Sequence, residues 1–339
     1  MINLILDISN NGYIRLETDG NNLKAYTIDG TNVCYSLENI WYLRCSNNLL
    51  EELPQLPSSI RSIDCSHNNI RSILGLPKTI KELNCSSNNL TSLPKLPKLL
   101  KRLNCSYNQL QSLPDLPELL TLCCYFNHLT SLPELPETLR KLSCFENKIT
   151  HLPNLPESLT QIYCYSNELC ELPVLPKYLR TLGCGSNSIA SLPGLPETLR
   201  ALNCHSNLLV SLPDLPETLI WLICHNNYLR TIPKLPEKVK ELNCCSNYLQ
   251  TLPMLPNSLN ELKARNNPLI FVPPLVRKIE FELPDEVKHL YSHYHRRTYR
   301  EKYKTYHYLI SYLTLEAGII PTILTNRLFW FPEKGRERL

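Results

Sequence analysis

The residues best suited to chemistry in this 339-residue chain are its 15 cysteines. Thiolates are preferred ligands of zinc and of iron–sulfur clusters, and paired thiols can form disulfides. A line of evenly spaced thiols cannot converge on one metal ion, and neighbouring parallel strands orient such thiols poorly for disulfides. We therefore expect no metal and no cofactor, and a structural role for the periodic cysteines as small apolar residues. Eleven of them recur every 20 residues, with one interval of 19, at Cys45, Cys65, Cys85, Cys105, Cys124, Cys144, Cys164, Cys184, Cys204, Cys224 and Cys244.

An asparagine follows each periodic cysteine three residues later, and one further asparagine follows Ala264, which stands in a cysteine's place. One unit, residues 132–151, reads LPELPETLRKLSCFENKITH. The pattern LxxLxCxxNxL fits the leucine-rich-repeat template L-x-x-L-x-L-x-x-N-x-L. The asparagines are Asn48, Asn68, Asn88, Asn108, Asn127, Asn147, Asn167, Asn187, Asn207, Asn227, Asn247 and Asn267.

Each unit predicts one short strand and a return segment. In the alternation Leu142, Ser143, Cys144, the Leu and Cys point inward and the Ser points outward. Asn147 follows the strand, where its amide can bond backbone groups that lack partners, so the asparagines predict an internal ladder. Proline prevents a regular helix in LPxLP, so we expect polyproline II or short 3₁₀ turns there. The predicted fold class is a β-rich leucine-rich-repeat solenoid with a parallel concave sheet.

The chain divides into three predicted parts. Residues 1–36 carry hairpin signals such as Asn11-Gly12 and predict a small β cap at the N-terminus. Residues 37–281 hold about twelve repeats, and residues 282–339 predict a helical, Tyr-rich, basic C-terminal cap or tail.

A formal net charge of +4 excludes nucleic-acid binding driven by overall charge. No signal peptide or membrane-spanning run is recognisable, so we expect a cytoplasmic protein, in a host cell's cytoplasm if it is an effector or viral.

These LPxLPxxLxxLxCxxNxL units resemble the 20-residue leucine-rich repeats of secreted bacterial effectors, of the Yersinia outer-protein M and invasion-plasmid-antigen type. The Cys-rich variant also resembles repeat proteins of giant DNA viruses such as mimivirus. The resemblance covers roughly residues 37–281 and implies binding of a protein, usually from a host. Invasion-plasmid-antigen effectors add a ubiquitin-ligase domain with a catalytic Cys. Because Cys245 is the last cysteine here, we do not expect that activity.

Aromatic residues at outward strand positions are the candidate binding residues. The repeat does not require them there, and Tyr and Trp dominate interface hot spots. Neighbouring rings could instead pack only on one another along adjacent strands. We favour a partner-binding surface on the concave face, because the rings would form one contiguous patch. Its predicted members are Tyr107, Tyr125, Phe126, Phe145, Tyr163, Tyr165, His205, Trp221 and His225.

No motif for catalysis is present, and nine Gly leave little room for loops that cradle phosphates. His289, His293 and His295 lack an acidic or Cys ligand nearby, so a solvated basic helix is the simpler interpretation. We expect a nonenzymatic protein-binding scaffold. Two alternatives stay open: an adaptor whose tail recruits machinery such as a ubiquitin ligase, and a basic segment, residues 287–304, that tethers the chain to nucleic acid or anionic membrane.

Overall fold

A computed structural model describes residues 4–270, 272 and 280–282 of the chain. This part coils into successive turns, and each turn adds one short strand to a 14-stranded sheet that runs β1-β5-β6 and then consecutively to β17. The described residues contain no helix. The strands are β1 Leu4–Asp7, β2 Arg15–Asp19, β3 Asn22–Tyr26, β4 Asn32–Ser36, β5 Ile40–Arg44, β6 Ser62–Asp64, β7 Glu82–Asn84, β8 Arg102–Asn104, β9 Thr121–Cys123, β10 Lys141–Ser143, β11 Gln161–Tyr163, β12 Thr181–Gly183, β13 Ala201–Asn203, β14 Trp221–Ile223, β15 Glu241–Asn243, β16 Glu261–Lys263 and β17 Glu280–Glu282.

The core is a stack of aliphatic and cysteine side chains, one set per coil. In the coil of β10, Leu139, Leu142, Cys144 and Ile149 have no exposed surface. All eleven periodic cysteines are fully buried and free. Burying a Leu or Ile side chain stabilises the fold by about 1.5–3 kcal/mol, but this burial needs a neighbouring coil on each side. The predicted parallel solenoid, with Leu and Cys inside, is confirmed.

The asparagine ladder joins each coil to the one before it. Asn88 donates from Nδ2 to the carbonyls of Cys65 in the preceding coil at 3.0 Å and of Cys85 in its own coil at 3.1 Å. Its Oδ1 accepts from the backbone N–H of Ile70 at 3.0 Å. From Asn68 to Asn267, every ladder asparagine makes the same bond to the preceding coil at 2.9–3.1 Å. The ladder therefore satisfies buried backbone groups that the short strands leave unpaired.

The return segments contain single turns. In most coils the N–H of the Leu, Ile or Val before the strand bonds the Pro carbonyl three residues earlier, as Leu139 does with Pro136 at 2.9 Å. The described residues hold no 3₁₀ helix, so the prediction of short 3₁₀ turns reduces to these isolated bonds. In the 19-residue coil, Leu119 bonds Pro117 only two residues earlier, at 2.6 Å. The missing residue is thus absorbed in the turn, and β8 and β9 keep their register.

The N-terminal residues do more than cap the first repeat. Strand β1 pairs in parallel with β5 and is the first strand of the concave sheet. Asn48 donates to the carbonyl of Ile8 at 3.0 Å and accepts from the N–H of Tyr13 at 3.1 Å, so this segment replaces a preceding coil. Strands β2, β3 and β4 form a separate antiparallel sheet. The predicted domain boundaries stay predictions, and the predicted helical C-terminal cap lies outside the described residues.

Replacing Asn88 with Ala should lower the free energy of unfolding by roughly 3 kcal/mol, because the ladder bonds of one buried amide are lost and backbone groups are left unsatisfied. The matched control is Asn89→Ala in the same coil, since the Asn89 side chain is exposed. That control should change stability by less than about 0.5 kcal/mol. Urea unfolding followed by circular dichroism measures both, and equal effects of the two variants would contradict the ladder's role.

A thiol titration should separate the cysteines into two groups. Burial raises the pKa of the Cys144 and Cys184 thiols to about 12, and raises it for the other periodic cysteines as well. With Ellman's reagent at pH 8, the folded protein should react at exposed Cys34 and Cys170, and more slowly at Cys123 and Cys245. All 15 thiols should react in guanidinium. Fast reaction of more than four in the folded state would mean that the coils open readily.

Candidate functional site

The register of the sheet arranges the concave side chains in columns. In each coil the first and third strand residues and the residue after the periodic Cys point away from the core. The following residue, just before the ladder Asn, has φ between 49° and 56° in every coil. Because adjacent strands lie about 4.8 Å apart, side chains at one repeat position are neighbours along the solenoid.

Five of the nine predicted binding residues form one aromatic cluster, defined as Tyr107, Tyr125, Phe126, Phe145 and Tyr165. Tyr125, Phe145 and Tyr165 stack face to face along one column, with centroid distances of 4.2 and 4.3 Å. Tyr107 and Phe126 stack in the next column at 4.5 Å. Edge contacts of 5.5–6.2 Å join the two columns. The cluster therefore spans four consecutive coils without a break.

Tyr107 and Phe126 occupy a left-handed backbone position, with φ of 52° and 51°. This conformation disfavours bulky side chains, and it costs roughly 1–3 kcal/mol when a residue unsuited to it is held there. In most other coils the same position holds Asn, Ser or His. The backbone bond from Tyr107 N–H to the Tyr125 carbonyl, at 2.9 Å, holds the conformation from the next coil. The fold thus imposes the backbone geometry, but it does not require aromatic residues there.

Two glycines provide space for rings that lean across the sheet. A Cβ on Gly183 would lie 3.3 Å from Cδ1 of Tyr163, and a Cβ on Gly185 would collide with the ring of His205. Tyr163 lies beside Lys141, whose Nζ is 5.7 Å from the ring centroid. Sequence reasoning did not identify either glycine. The signal available was two glycines in one strand region of a chain that has only nine.

His205 and His225 form a second, smaller pair on the same face. Their rings stack at 4.8 Å. Nδ1 of His205 lies 2.6 Å from Oδ1 of Asn203, and Nε2 lies 3.2 Å from the hydroxyl of Ser186. Burial lowers the pKa of both imidazoles, and the neighbouring His205 and Lys263 lower that of His225 further. The site therefore favours the neutral form of both rings.

The N-terminal coils present a different surface, which is polar and already hydrogen-bonded. The side-chain oxygens of Asp64, Asn84 and Asn104 each accept from a Ser hydroxyl two residues later, at 2.6–2.8 Å. Asn84 also donates to Asp64 in the preceding coil at 3.0 Å. These groups satisfy one another and offer little free hydrogen-bonding capacity, so the aromatic cluster is the distinctive part of the concave face.

The structure does not unite all of the predicted binding residues. Trp221, with 43% of its surface exposed, begins β14, four residues before His225 and so about 13 Å from it along the strand. Tyr163 and the histidine pair flank the cluster and do not join its ring stacks.

No group of three His, Cys, Asp or Glu side chains in the described range is arranged to hold a metal ion. His289, His293 and His295 lie outside that range.

The histidine pair should make stability depend on pH. Because the folded chain lowers both pKa values, the unfolded chain, with an ordinary His pKa near 6.5, binds more protons in mildly acidic solution. The free energy of unfolding should therefore fall as the pH drops below about 6.5. We expect a His205→Gln, His225→Gln variant to show a flatter dependence of the urea midpoint between pH 7.5 and 5.5. His128→Gln, His151→Gln is the control, since both of those side chains are exposed. Identical pH profiles for the two variants would contradict the assignment.

In the described residues, no helix is long and apolar enough to cross a membrane. The cytoplasmic location stays a prediction, as does the likeness to giant-virus proteins.

Solved structures of leucine-rich-repeat proteins are similar to this chain. YopM from Yersinia pestis, a leucine-rich effector protein, is 34% identical with a TM-score of 0.66, and the match covers 73% of this chain and 80% of that one. YopM from Yersinia enterocolitica WA-314 is 32% identical with a TM-score of 0.60, and the match covers 73% of this chain and 64% of the length of that protein. A leucine-rich-repeat protein from Leptospira interrogans, at 24% identity and a TM-score of 0.54 over 73% of this chain and 79% of that one, shows the fold alone. No protein-family model and no curated protein matches the sequence. On fold and identity together, the chain belongs to the leucine-rich-repeat family that includes YopM.

Proposed function

We propose that this protein is a nonenzymatic scaffold that binds another protein on its concave face, with the aromatic cluster as the centre of the contact. The observation that carries the proposal is the unbroken set of five rings on four neighbouring coils. Aromatic side chains supply large contact areas and dominate interface hot spots. Leucine-rich repeats in general use their concave surface for binding.

Packing of the rings on one another explains only part of the arrangement. It accounts for the half-buried state of Tyr125, Phe145 and Tyr165. It does not account for Tyr107 and Phe126, which keep 48% and 38% of their surface exposed while occupying a strained backbone position. The fold imposes this backbone in every coil but does not require aromatic residues there, so two exposed rings at an unfavourable position support a binding role.

The rigidity of the site also favours binding. The backbone under each ring is bonded to a neighbouring coil, and the stacked rings brace one another. A preorganised surface loses little conformational freedom on association, so more of the contact energy contributes to affinity. The similarity to YopM, a leucine-rich effector protein, supports a host protein as the partner. The adaptor and tether alternatives depend on residues 282–339, and we do not propose them.

The test compares two triple variants in affinity purification from candidate host lysate with quantitative mass spectrometry. The first is Tyr125→Ser, Phe145→Ser, Tyr165→Ser, which removes one column of the cluster. The matched control is Tyr178→Ser, Tyr228→Ser, Tyr248→Ser, because these tyrosines are 47–56% exposed and lie outside the cluster. We expect the cluster variant to lose a partner by at least about tenfold, since three hot-spot rings are removed. The control should retain that partner.

Circular dichroism and thermal unfolding must show that both variants are folded. Each lost ring pair should cost roughly 0.5–1.5 kcal/mol of stability, which a stacked solenoid can tolerate. An unchanged partner profile in a folded cluster variant would overturn the proposal and move attention to another surface.

A further inference from the structure

A column of basic residues runs along the rim of the sheet where the strands begin. In each coil the residue concerned immediately precedes the strand. Seven of the eleven coils from β6 to β16 carry Lys or Arg there, and none carries an acid; the other four have Leu120, Thr160, Ile220 and Asn260. We name this column the basic rim: Arg61, Lys81, Lys101, Arg140, Arg180, Arg200 and Lys240.

The backbone holds the basic rim in register. Each residue of this column donates its N–H to the carbonyl of the equivalent residue one coil earlier, as Lys81 does to Arg61 at 2.6 Å and Arg200 to Arg180 at 2.8 Å. Column residues in adjacent coils are therefore about 4.8 Å apart, and those two coils apart are about 9.6 Å apart. Five of the seven are exposed, and Arg61 and Lys101 are half-buried. The backbone of the column is thus fixed, and its basic side chains extend from it at the surface.

The basic rim has no acidic partner within the described part of the chain. The ion pairs found there involve Arg15, Lys24, Arg44, Arg102 and Lys263 instead. Lys and Arg total 35 in the chain and Asp and Glu total 31, so a column chosen without regard to charge would hold both signs in similar numbers. A row of unpaired like charges is unfavourable on its own and becomes favourable when an anionic surface covers it.

We propose that the basic rim binds an acidic segment of the partner protein that the concave face captures, an inference that rests on the proposed function. Phe145 in the aromatic cluster lies five positions after Arg140 on the rim, a span of about 16 Å along extended chain. One partner can therefore contact both. Successive rim residues lie one or two coils apart, about 4.8 or 9.6 Å, so a segment with several closely spaced acids, as at i and i+4 of a helix, can place a carboxylate near each charge.

Single-stranded nucleic acid fits the surface less well. Such ligands are bound by cations together with aromatic faces on which bases stack. In the aromatic cluster the faces of Tyr125, Phe145 and Tyr165 lie against one another at 4.2–4.3 Å, too close to admit a base. Stacking within this column covers the ring faces that bases would use, which favours carboxylates of a protein.

The experiment measures fluorescence anisotropy of a labelled poly-L-glutamate peptide with the full-length protein at low and physiological salt. The variant Arg140→Glu, Arg180→Glu, Arg200→Glu reverses three exposed rim charges. The matched control Lys148→Glu, Arg230→Glu, Lys234→Glu makes the same change in net charge at exposed positions away from the rim. We expect the rim variant to bind at least about tenfold more weakly, which is about 1.4 kcal/mol, and the control to bind within about twofold of wild type.

Three results would overturn the proposal. These are unchanged binding by the rim variant, an equal loss in rim and control variants, and a single-stranded oligothymidine that binds the rim more tightly than polyglutamate at the same salt. The variant Arg140→Lys, Arg180→Lys, Arg200→Lys should keep the affinity, since it keeps the charge. Both reversal variants retain residues 282–339, so any binding there is common to them.

The outcome is separable from that of the proposed function. Polyglutamate has no apolar side chains, so the Tyr125→Ser, Phe145→Ser, Tyr165→Ser variant should bind it as wild type does. If rim reversal leaves peptide binding intact while the cluster variant loses its protein partner, the inference is wrong and the proposed function stands. If the cluster variant keeps its partners and rim reversal weakens the peptide, the proposed function is wrong.

Discussion

The stacking of the coils depends on the side-chain amide of the ladder asparagine. Each strand is only three residues long in most coils, so its own ladder of backbone bonds is too short to fix the chain that follows it. The amide completes the connection by bonding its own coil and the preceding one. An amide buried without these partners would cost several kcal/mol, so the sequence is compatible with few arrangements other than the stacked coil. Strand register, core stacking and the surface columns all follow from it.

Much of the fold could be predicted from residue types and spacing. Asn, Cys and Leu recur at fixed intervals, and each has one physical role that the template assigns to it. The inclusion of β1 in the concave sheet could not be predicted in the same way. It depends on long-range pairing with β5 that leaves no period in the sequence, whereas the shortened coil is visible as the one interval of 19 residues. Strand Leu4–Asp7 acquires its place by pairing with β5, and Ile8 and Tyr13 add backbone bonds to Asn48.

The candidate site was predictable in position but not in geometry. The alternation of inward and outward residues placed Tyr125, Phe145 and Tyr165 in one column. It could not show that Tyr107 and Phe126 adopt a left-handed backbone, because that conformation is set by the ladder and not by the aromatic residues themselves. Trp221 lies apart from the ring columns, since the first strand position and the position after the periodic Cys are about 13 Å apart along the chain. Basic residues before the strands were visible in the sequence, but only the register makes them a row.

The same division between core and surface explains how such a protein can acquire a binding site. The ladder and the core are built from Asn, Cys, Leu and the backbone. They do not determine which side chains occupy the outward columns. Rings at the coil spacing of about 4.8 Å come close to ideal stacking contact, so aromatic residues in neighbouring coils brace one another without any contribution from the core. Charges at that spacing repel instead, and a row of them persists only because exposure and solvent screening keep the repulsion small. One repeat geometry therefore yields a self-supporting apolar patch on the concave face and a row of like charges along the edge where the strands begin, and an apolar surface flanked by acids would complement both.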